Sequence, residues 1–150
     1  MKKFRFTLDK MRGYTQQLLD EEKNILARLK QVQFEIEARI ENLENSFADI
    51  SLELQEDERN GIEASALMGY NLQMTNIRNQ LKELRIELKK AIRDVDKQLE
   101  KVVAASKEVS KLDKLEEKQL EEYQKTVAKG EEIFIDEFVS SDIIRRDVFQ

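Results

Sequence analysis

Apolar residues recur every seven positions through most of the second half of the chain. One row has seven members without a gap: Leu67, Met74, Leu81, Leu88, Val95, Val102 and Val109. The neighbouring row begins with Tyr70, Ile77, Leu84 and Ala91, and we expect it to shift farther along to Ile92, Leu99, Leu120, Val127 and Phe134. Two interleaved apolar rows with this period are typical of an α-helix that packs along a coiled-coil seam. We therefore expect a helix over about residues 63–138.

The first half carries a similar stripe on three interleaved rows. These rows are Leu18, Ile25 and Val32; then Leu29, Ile36, Leu43 and Ile50; then Leu19, Leu26, Ile40, Phe47 and Leu54. The chain has no proline, and 38% of its residues are charged, a composition typical of long helices and coiled coils. A second helix is therefore expected over about residues 5–56. Because the apolar stripe of each helix must be buried, each helix needs another surface to pack against.

The stretch "ERNGIEASALMGY", residues 58–70, holds two of the four glycines in the chain. Asn60 and Gly61 both tolerate positive φ, so this pair predicts a turn over about residues 57–62. Such a turn folds the two stripes together as an antiparallel hairpin. Gly69 is expected to ease the bend or to let the backbones approach closely. The alternative is an unbroken helix that dimerises along its length.

The charge pattern favours the hairpin. Residues 41–63 carry eight acidic side chains and one arginine. A turn near residue 60 places them opposite residues 73–93, where basic side chains outnumber Glu83 and Glu87: Arg78, Lys82, Arg85, Lys89, Lys90 and Arg93. Each exposed pair contributes only about 0.3–0.5 kcal/mol, but several together help to set the orientation of the helices.

The two helices are unequal in length. Pairing outward from the turn brings residue 8 to about residue 113, so residues 114–138 are expected to project beyond their partner. Their apolar side chains predict a surface for another protein, a surface partly covered by Phe4, Phe6 and Leu8, or both. Residues 139–150 are expected to form a flexible tail. The predicted fold is all-α, a single domain over 1–150 built as a long antiparallel coiled-coil hairpin.

The residue types that carry most enzyme chemistry are missing. The chain has no histidine and no cysteine, so the commonest general base, the commonest metal ligand and the thiol nucleophile are absent. Its many carboxylates are interpreted as a solvated helix face, and no Gly-rich phosphate loop is present. The net charge of −5 disfavours nucleic acid. We expect no enzyme activity, no cofactor, no metal and no small-molecule ligand.

Three local features point to a known family. The chain opens with "FRFTLDKMRGY", the turn "NGI" is followed eight residues later by Tyr70, and the C-terminal arm reads "KLDKLEEKQLEEYQKTVAKGEEIFIDEF". Together they resemble the FliJ family of the bacterial flagellar type III export apparatus. The resemblance implies a non-enzymatic, stalk-like coiled coil that promotes assembly of the hexameric export ATPase and couples it to the export gate in the membrane. It also implies contacts with export chaperones, and a cytoplasmic protein peripherally associated with the inner face of the cell membrane.

The resemblance also implies two partner-binding surfaces. The gate-binding surface lies near the turn, at Leu43, Ser46, Ile50, Gln73, Ile77, Gln80 and Leu84. The ATPase-binding surface lies on the projecting arm, at Leu120, Tyr123 and Val127. The chain departs from an apolar binding surface at Ser46, Gln73 and Gln80. The apolar members near the turn are also stripe residues, whose alternative role is to hold the hairpin together.

Two other functions fit the same pattern of residues. One is an unrelated coiled-coil interaction module, such as the stalk subunit of another rotary ATPase or a chaperone-like tether. The other is a helical hairpin that binds a membrane surface peripherally, which would need a lysine- and arginine-rich polar face. The acidic balance of residues 41–63 argues against membrane binding at the turn end.

Overall fold

The structure is a computed structural model that describes residues 3–148, and two α-helices account for nearly all of them. Helix α1 is Asp9–Asn60, with 52 residues, and helix α2 is Ala64–Val148, with 85 residues. Residues 3–8 precede α1 and residues 61–63 connect the helices, and no strand occurs between residues 3 and 148. The predicted all-α fold with two unequal helices is confirmed.

The turn between the helices depends on one glycine. Gly61 has a φ of 88°, a conformation that a residue with a Cβ rarely adopts, and its N–H donates to the carbonyl of Glu58 at 3.4 Å. Arg59 lies in the last turn of α1, where a positive charge is favourable. The connection at 61–63 therefore lies at the end of the expected range of 57–62 and just beyond it.

One of the two roles expected for Gly69 is not observed. It lies within α2, it is exposed, and a Cβ built on it would meet no atom within 4 Å. The prediction that Gly69 permits a close backbone approach is therefore wrong. The second glycine of the stretch is an ordinary, exposed helix position.

The chain, expected to form a single coiled-coil domain, divides into two compact units. One unit is residues 20–103, and the other combines the N-terminal residues up to 19 with those from 104 onward. In the unit of residues 20–103, contacts join Asp57 to Tyr70, Glu44 to Arg85 and Glu22 to Gln98. Residue numbers fall along α1 as they rise along α2. The helices are therefore antiparallel, and the predicted hairpin is confirmed.

On each helix of this unit, the buried and half-buried side chains of the seam are spaced alternately by three and four residues. The fully buried apolar side chains among them are Leu26, Ile36, Ile77, Leu81 and Ala91. The expected row through Ile25 and Val32 instead lies outside the seam, because these side chains are exposed. A coiled coil buries only two rows per helix, and on α1 these rows already contain Leu26, Leu29 and Ile36.

The predicted shift of the α2 row to Ile92 and Leu99 is also wrong. Both side chains are exposed, and Gln98 takes the seam position with 5% of its surface exposed. Its Nε2 donates to the backbone carbonyl of Glu22 at 3.0 Å and to the Glu22 carboxylate. Because its donor is satisfied, this polar side chain stays in the seam and the heptad register continues without interruption.

In the other unit, the residues before α1 pack against α2. The ring of Phe4 lies 5.6 Å from the ring of Tyr123, and Thr7 Oγ1 donates to Gln119 Oε1 at 3.3 Å. Phe6 is buried, although it lies outside both helices.

Arg12 joins the same contacts. It pairs with Glu116, and its guanidinium carbon lies 5.4 Å from the centre of the Phe6 ring. We call residues 4–12 together with 116–123 the N-terminal clasp.

The clasp corrects the predicted pairing of residue 8 with about residue 113. Thr7 contacts Gln119, so the paired region extends farther along α2. The connection at 61–63 lies a few residues later than the expected turn near residue 60. Each residue of α1 is therefore opposite a residue of α2 that is farther along the chain by twice that displacement. The expected cover by the N-terminal residues is observed over part of the arm, where Phe4 lies against Tyr123, and apolar side chains farther along α2 are exposed.

Helix α2 continues through most of the predicted tail. Residues 139–148 are helical, whereas Phe149 and Gln150 lie outside the described residues. No glycine or proline interrupts the helix after Gly130, Arg146 pairs with Asp142 at 3.3 Å, and Arg145 and Arg146 suit the C-terminus of a helix. These local features explain why the helix does not end near residue 138.

Tyr70 and Asp57 join the helices next to the turn. The Tyr70 hydroxyl donates to the Asp57 carboxylate, and this hydrogen bond, aided by partial burial and by the charges of Asp57 and Glu53, raises the pKa of Tyr70 to about 12. The neutral phenol is the form that donates. The stabilisation is therefore fully present below the ordinary tyrosine pKa of about 10 and is lost as the pH rises through about 12.

We expect Asp57→Asn to lower the pKa of Tyr70 toward about 10, because the charged acceptor is lost. An ultraviolet titration of the phenolate band, with the wild-type chain as reference, measures the shift. Asp49→Asn removes one charge from the same acidic stretch without removing the hydrogen bond. If both variants lowered the pKa of Tyr70 equally, the hydrogen bond to Asp57 would not be the main cause of the raised pKa.

Candidate functional site

Side chains from both helices line an open groove in the unit of residues 20–103. Half-buried Leu43 and Leu84 are its apolar members, and the remaining side chains are polar or charged. The groove has a volume of about 400 Å³ and is lined by Arg39, Asn42, Leu43, Gln80, Glu83, Leu84 and Glu87. Apolar side chains at the centre with a polar rim are the usual anatomy of a protein–protein contact.

The groove contains Leu43, Gln80 and Leu84, three of the seven residues expected to bind the gate. The other four do not line it. Ser46 and Gln73 are exposed, Ile50 is half-buried, and Ile77 is buried in the seam. Ile77 therefore holds the two helices together.

The heptad register places these seven residues on one edge of the seam. The apolar members occupy one seam position of each heptad, and the polar members occupy the flanking position beside it. Ser46, Gln73 and Gln80 are exposed there. The gate-binding surface implied by the resemblance is therefore a row of exposed polar side chains beside a narrow strip of apolar seam residues.

The opposite edge of the seam has a different character. A recess of about 310 Å³ is lined by Glu44, Phe47, Arg78, Leu81 and Arg85. The guanidinium of Arg78 lies 5.2 Å from the centre of the Phe47 ring, and Arg85 pairs with Glu44 at 3.4 Å. A cation over an aromatic face is an attractive contact, so these side chains already have partners within the chain.

The expected ATPase-binding residues lie in the other unit and differ in accessibility. Leu120 is 38% exposed, whereas Tyr123 and Val127 are half-buried. Tyr123 contacts Phe4 in the N-terminal clasp. Leu120 is therefore the most accessible of the three side chains.

Sequence reasoning missed part of the groove. Arg39, Asn42, Glu83 and Glu87 line it but lie outside the apolar rows, so hydrophobic periodicity carries no signal for them. Their positions follow from the heptad register once the partner helix is known. Only the pairing of α1 with α2 brings Arg39 and Glu87 to the same groove.

Between residues 3 and 148, no group of three or more His, Cys, Asp or Glu side chains is arranged to hold a metal ion. No helix in that part of the chain is both long enough and apolar enough to cross a membrane.

The family model of the flagellar FliJ protein matches residues 4–147. Comparisons with curated proteins and with solved structures give no match. The FliJ match includes the N-terminal clasp, the turn and the groove. Because it extends over nearly the whole chain, the protein belongs to the FliJ family, whose members are components of the flagellar export apparatus.

Proposed function

We propose that the protein is a non-enzymatic coupling subunit of flagellar type III export. In this role it promotes assembly of the hexameric export ATPase, couples that ATPase to the export gate in the membrane, and interacts with export chaperones. It acts in the cytoplasm, peripherally associated with the inner face of the cell membrane. Membership of the FliJ family over residues 4–147 is the observation that carries this proposal.

The gate protein is proposed to bind in the groove and along its edge of the seam. Leu43 and Leu84 supply apolar surface that is only partly covered within the chain, and Gln80 supplies hydrogen-bonding groups beside them. Ser46 and Gln73 extend the polar edge. Ile50 and Ile77 support this surface from the seam, because their side chains are covered by the opposite helix.

The ATPase is proposed to bind at Leu120, Tyr123 and Val127. Leu120 is the primary contact because its side chain is accessible. Tyr123 belongs to the same surface, and its ring also packs against Phe4 of the N-terminal clasp. A ring that encloses this part of α2 would cover Leu120.

The two surfaces are expected to fail separately. Gln73→Ala with Gln80→Ala should weaken binding to the purified cytoplasmic domain of the gate protein by about tenfold, because interface hot spots contribute 1–2 kcal/mol or more. ATPase stimulation should survive in this variant. Leu120→Glu should abolish ATPase stimulation and leave gate binding intact, because a carboxylate cannot enter an apolar contact without a partner.

Each variant has a matched control. Gln17→Ala with Gln55→Ala removes two exposed glutamines away from the groove, and Leu72→Glu places the same charge at an exposed leucine elsewhere on α2. Circular dichroism checks that all variants remain helical. If either test variant lost both activities while helicity was retained, the two-surface coupling proposal would be wrong.

A further inference from the structure

Seven side chains between residues 78 and 93 share one face of α2. With 3.6 residues per turn, their positions fall within an arc of about 120°. Five are basic, two are apolar and none is acidic. We call this surface the basic face: Arg78, Lys82, Arg85, Ile86, Lys89, Ile92 and Arg93.

Most of the positive charge on the basic face is not neutralised within the chain. Arg85 pairs with Glu44, and Arg78 lies over Phe47. Among the described residues, Lys82, Lys89 and Arg93 have no ion pair. In a chain of net charge −5, this face is a local surplus of positive charge, with exposed Ile86 and Ile92 beside it.

The far end of α2 has the complementary composition. Residues 131–144 contain five carboxylates and no lysine or arginine: Glu131, Glu132, Asp136, Glu137 and Asp142. Between them lie exposed apolar side chains: Ile133, Phe134, Ile135, Phe138, Val139, Ile143 and Ile144. We call residues 131–144 the acidic arm. Its apolar side chains occur on all sides of the helix, a pattern normal for helices that are enclosed by protein.

We propose that the acidic arm of one molecule docks on the basic face of a second copy of the chain. Glu131, Glu137 and Asp142 lie on the same side of the arm as Phe134 and Phe138. These three carboxylates then meet Lys82, Lys89 and Arg93, and the two phenylalanines cover Ile86 and Ile92. The lengths also match, since residues 78–93 and 131–144 extend along the helix axis for about 23 Å and about 20 Å. Apolar burial supplies affinity, and the charges supply specificity and orientation.

A second copy fits the basic face better than an extended polyanion does. Asp96 follows Arg93 on the same side of α2, and Glu44 borders the face on α1. These carboxylates repel a phosphate backbone or an anionic lipid surface, which cannot avoid them. A single helix one face wide contacts the cations and leaves the neighbouring carboxylates in solvent.

Sedimentation equilibrium of the full-length chain over a concentration series tests the proposal. The wild-type chain should self-associate, and the association should weaken as salt is raised from low to high concentration. Lys82→Glu, Lys89→Glu and Arg93→Glu combined should raise the dissociation constant by more than about tenfold. These three side chains are exposed and unpaired, so the helix should remain folded.

Charge exchange distinguishes a specific contact from a general effect of net charge. Glu131→Lys, Glu137→Lys and Asp142→Lys combined should also weaken self-association, and mixing the two reversed chains should restore it between them. Lys101→Glu, Lys107→Glu and Lys114→Glu combined change the net charge equally at exposed positions away from the basic face, and should associate like the wild type.

Three results would overturn the proposal. The first is a chain that stays monomeric at low salt. The second is self-association that survives reversal of the basic face, or that the control variant loses equally. The third is a monomer that binds anionic vesicles or single-stranded DNA through the basic face. The experiment uses only this chain, so its outcome is independent of the ATPase and gate tests.

Discussion

Leu81→Asp is expected to unfold the unit of residues 20–103 under conditions in which the wild-type chain is folded. Leu81 is 6% exposed and is the third of the seven members of the longest apolar row. The substitution removes its packing and places a carboxylate in the seam without a partner, at a combined cost of about 3–5 kcal/mol. That cost is a large part of the stability of an ordinary domain, about 5–15 kcal/mol. Urea unfolding followed by far-ultraviolet circular dichroism measures it.

Leu72→Asp is the matched control for this prediction. It introduces the same side chain on the same helix, but Leu72 is 64% exposed. Its effect on the free energy of unfolding should stay within about 0.5 kcal/mol. If the two variants shifted the unfolding midpoint equally, Leu81 would face solvent and the assigned seam would be wrong.

Phe6→Ala is expected to open the N-terminal clasp. Phe6 is 8% exposed although it precedes α1, because its ring is covered within the clasp and lies beside the guanidinium of Arg12. Truncating a buried phenylalanine costs about 3–5 kcal/mol in a closed core, and we expect about 2–3 kcal/mol at this less enclosed position. Phe4 and Thr7 should then lose their contacts with α2, which leaves Tyr123 uncovered.

Amide hydrogen exchange resolves this effect by region. Residues 9–19 and 104–120 should exchange faster in Phe6→Ala, whereas the amides of residues 20–103 should keep their protection. Phe34→Ala is the control, because it makes the same truncation at a phenylalanine that is 65% exposed. Unchanged exchange near the N-terminus of Phe6→Ala would show that Phe6 does not hold the clasp.

The candidate groove was predictable in part. Leu43, Gln80 and Leu84 were placed on the gate-binding surface by the family resemblance, and all three line the groove. Arg39 and Glu87 were not predicted to lie there, since exposed charged residues occur all along both helices and carry no periodic signal. Their contribution depends on which residues of α1 and α2 stand opposite each other.

Local patterns in the sequence determined the helices and the turn. A period of seven requires an α-helix with one buried stripe, so the members of the row from Leu67 to Val109 are all buried or half-buried. Asn60 and Gly61 end α1 because only a glycine readily adopts the positive φ that the connection needs. These features depend on neighbours within a few residues, and such neighbours can be read directly from the chain.

Only the tertiary structure decided the pairing. The position of the turn shifts the opposing residues by twice its own displacement, which brought Phe4 to Tyr123 and formed the N-terminal clasp. The same pairing left Ile25 exposed and buried Gln98, whose amide is satisfied by Glu22. Hydrophobicity alone ranks isoleucine above glutamine for the seam, but a distant hydrogen-bond partner reverses that order, and the contact joins residues 76 positions apart in the chain.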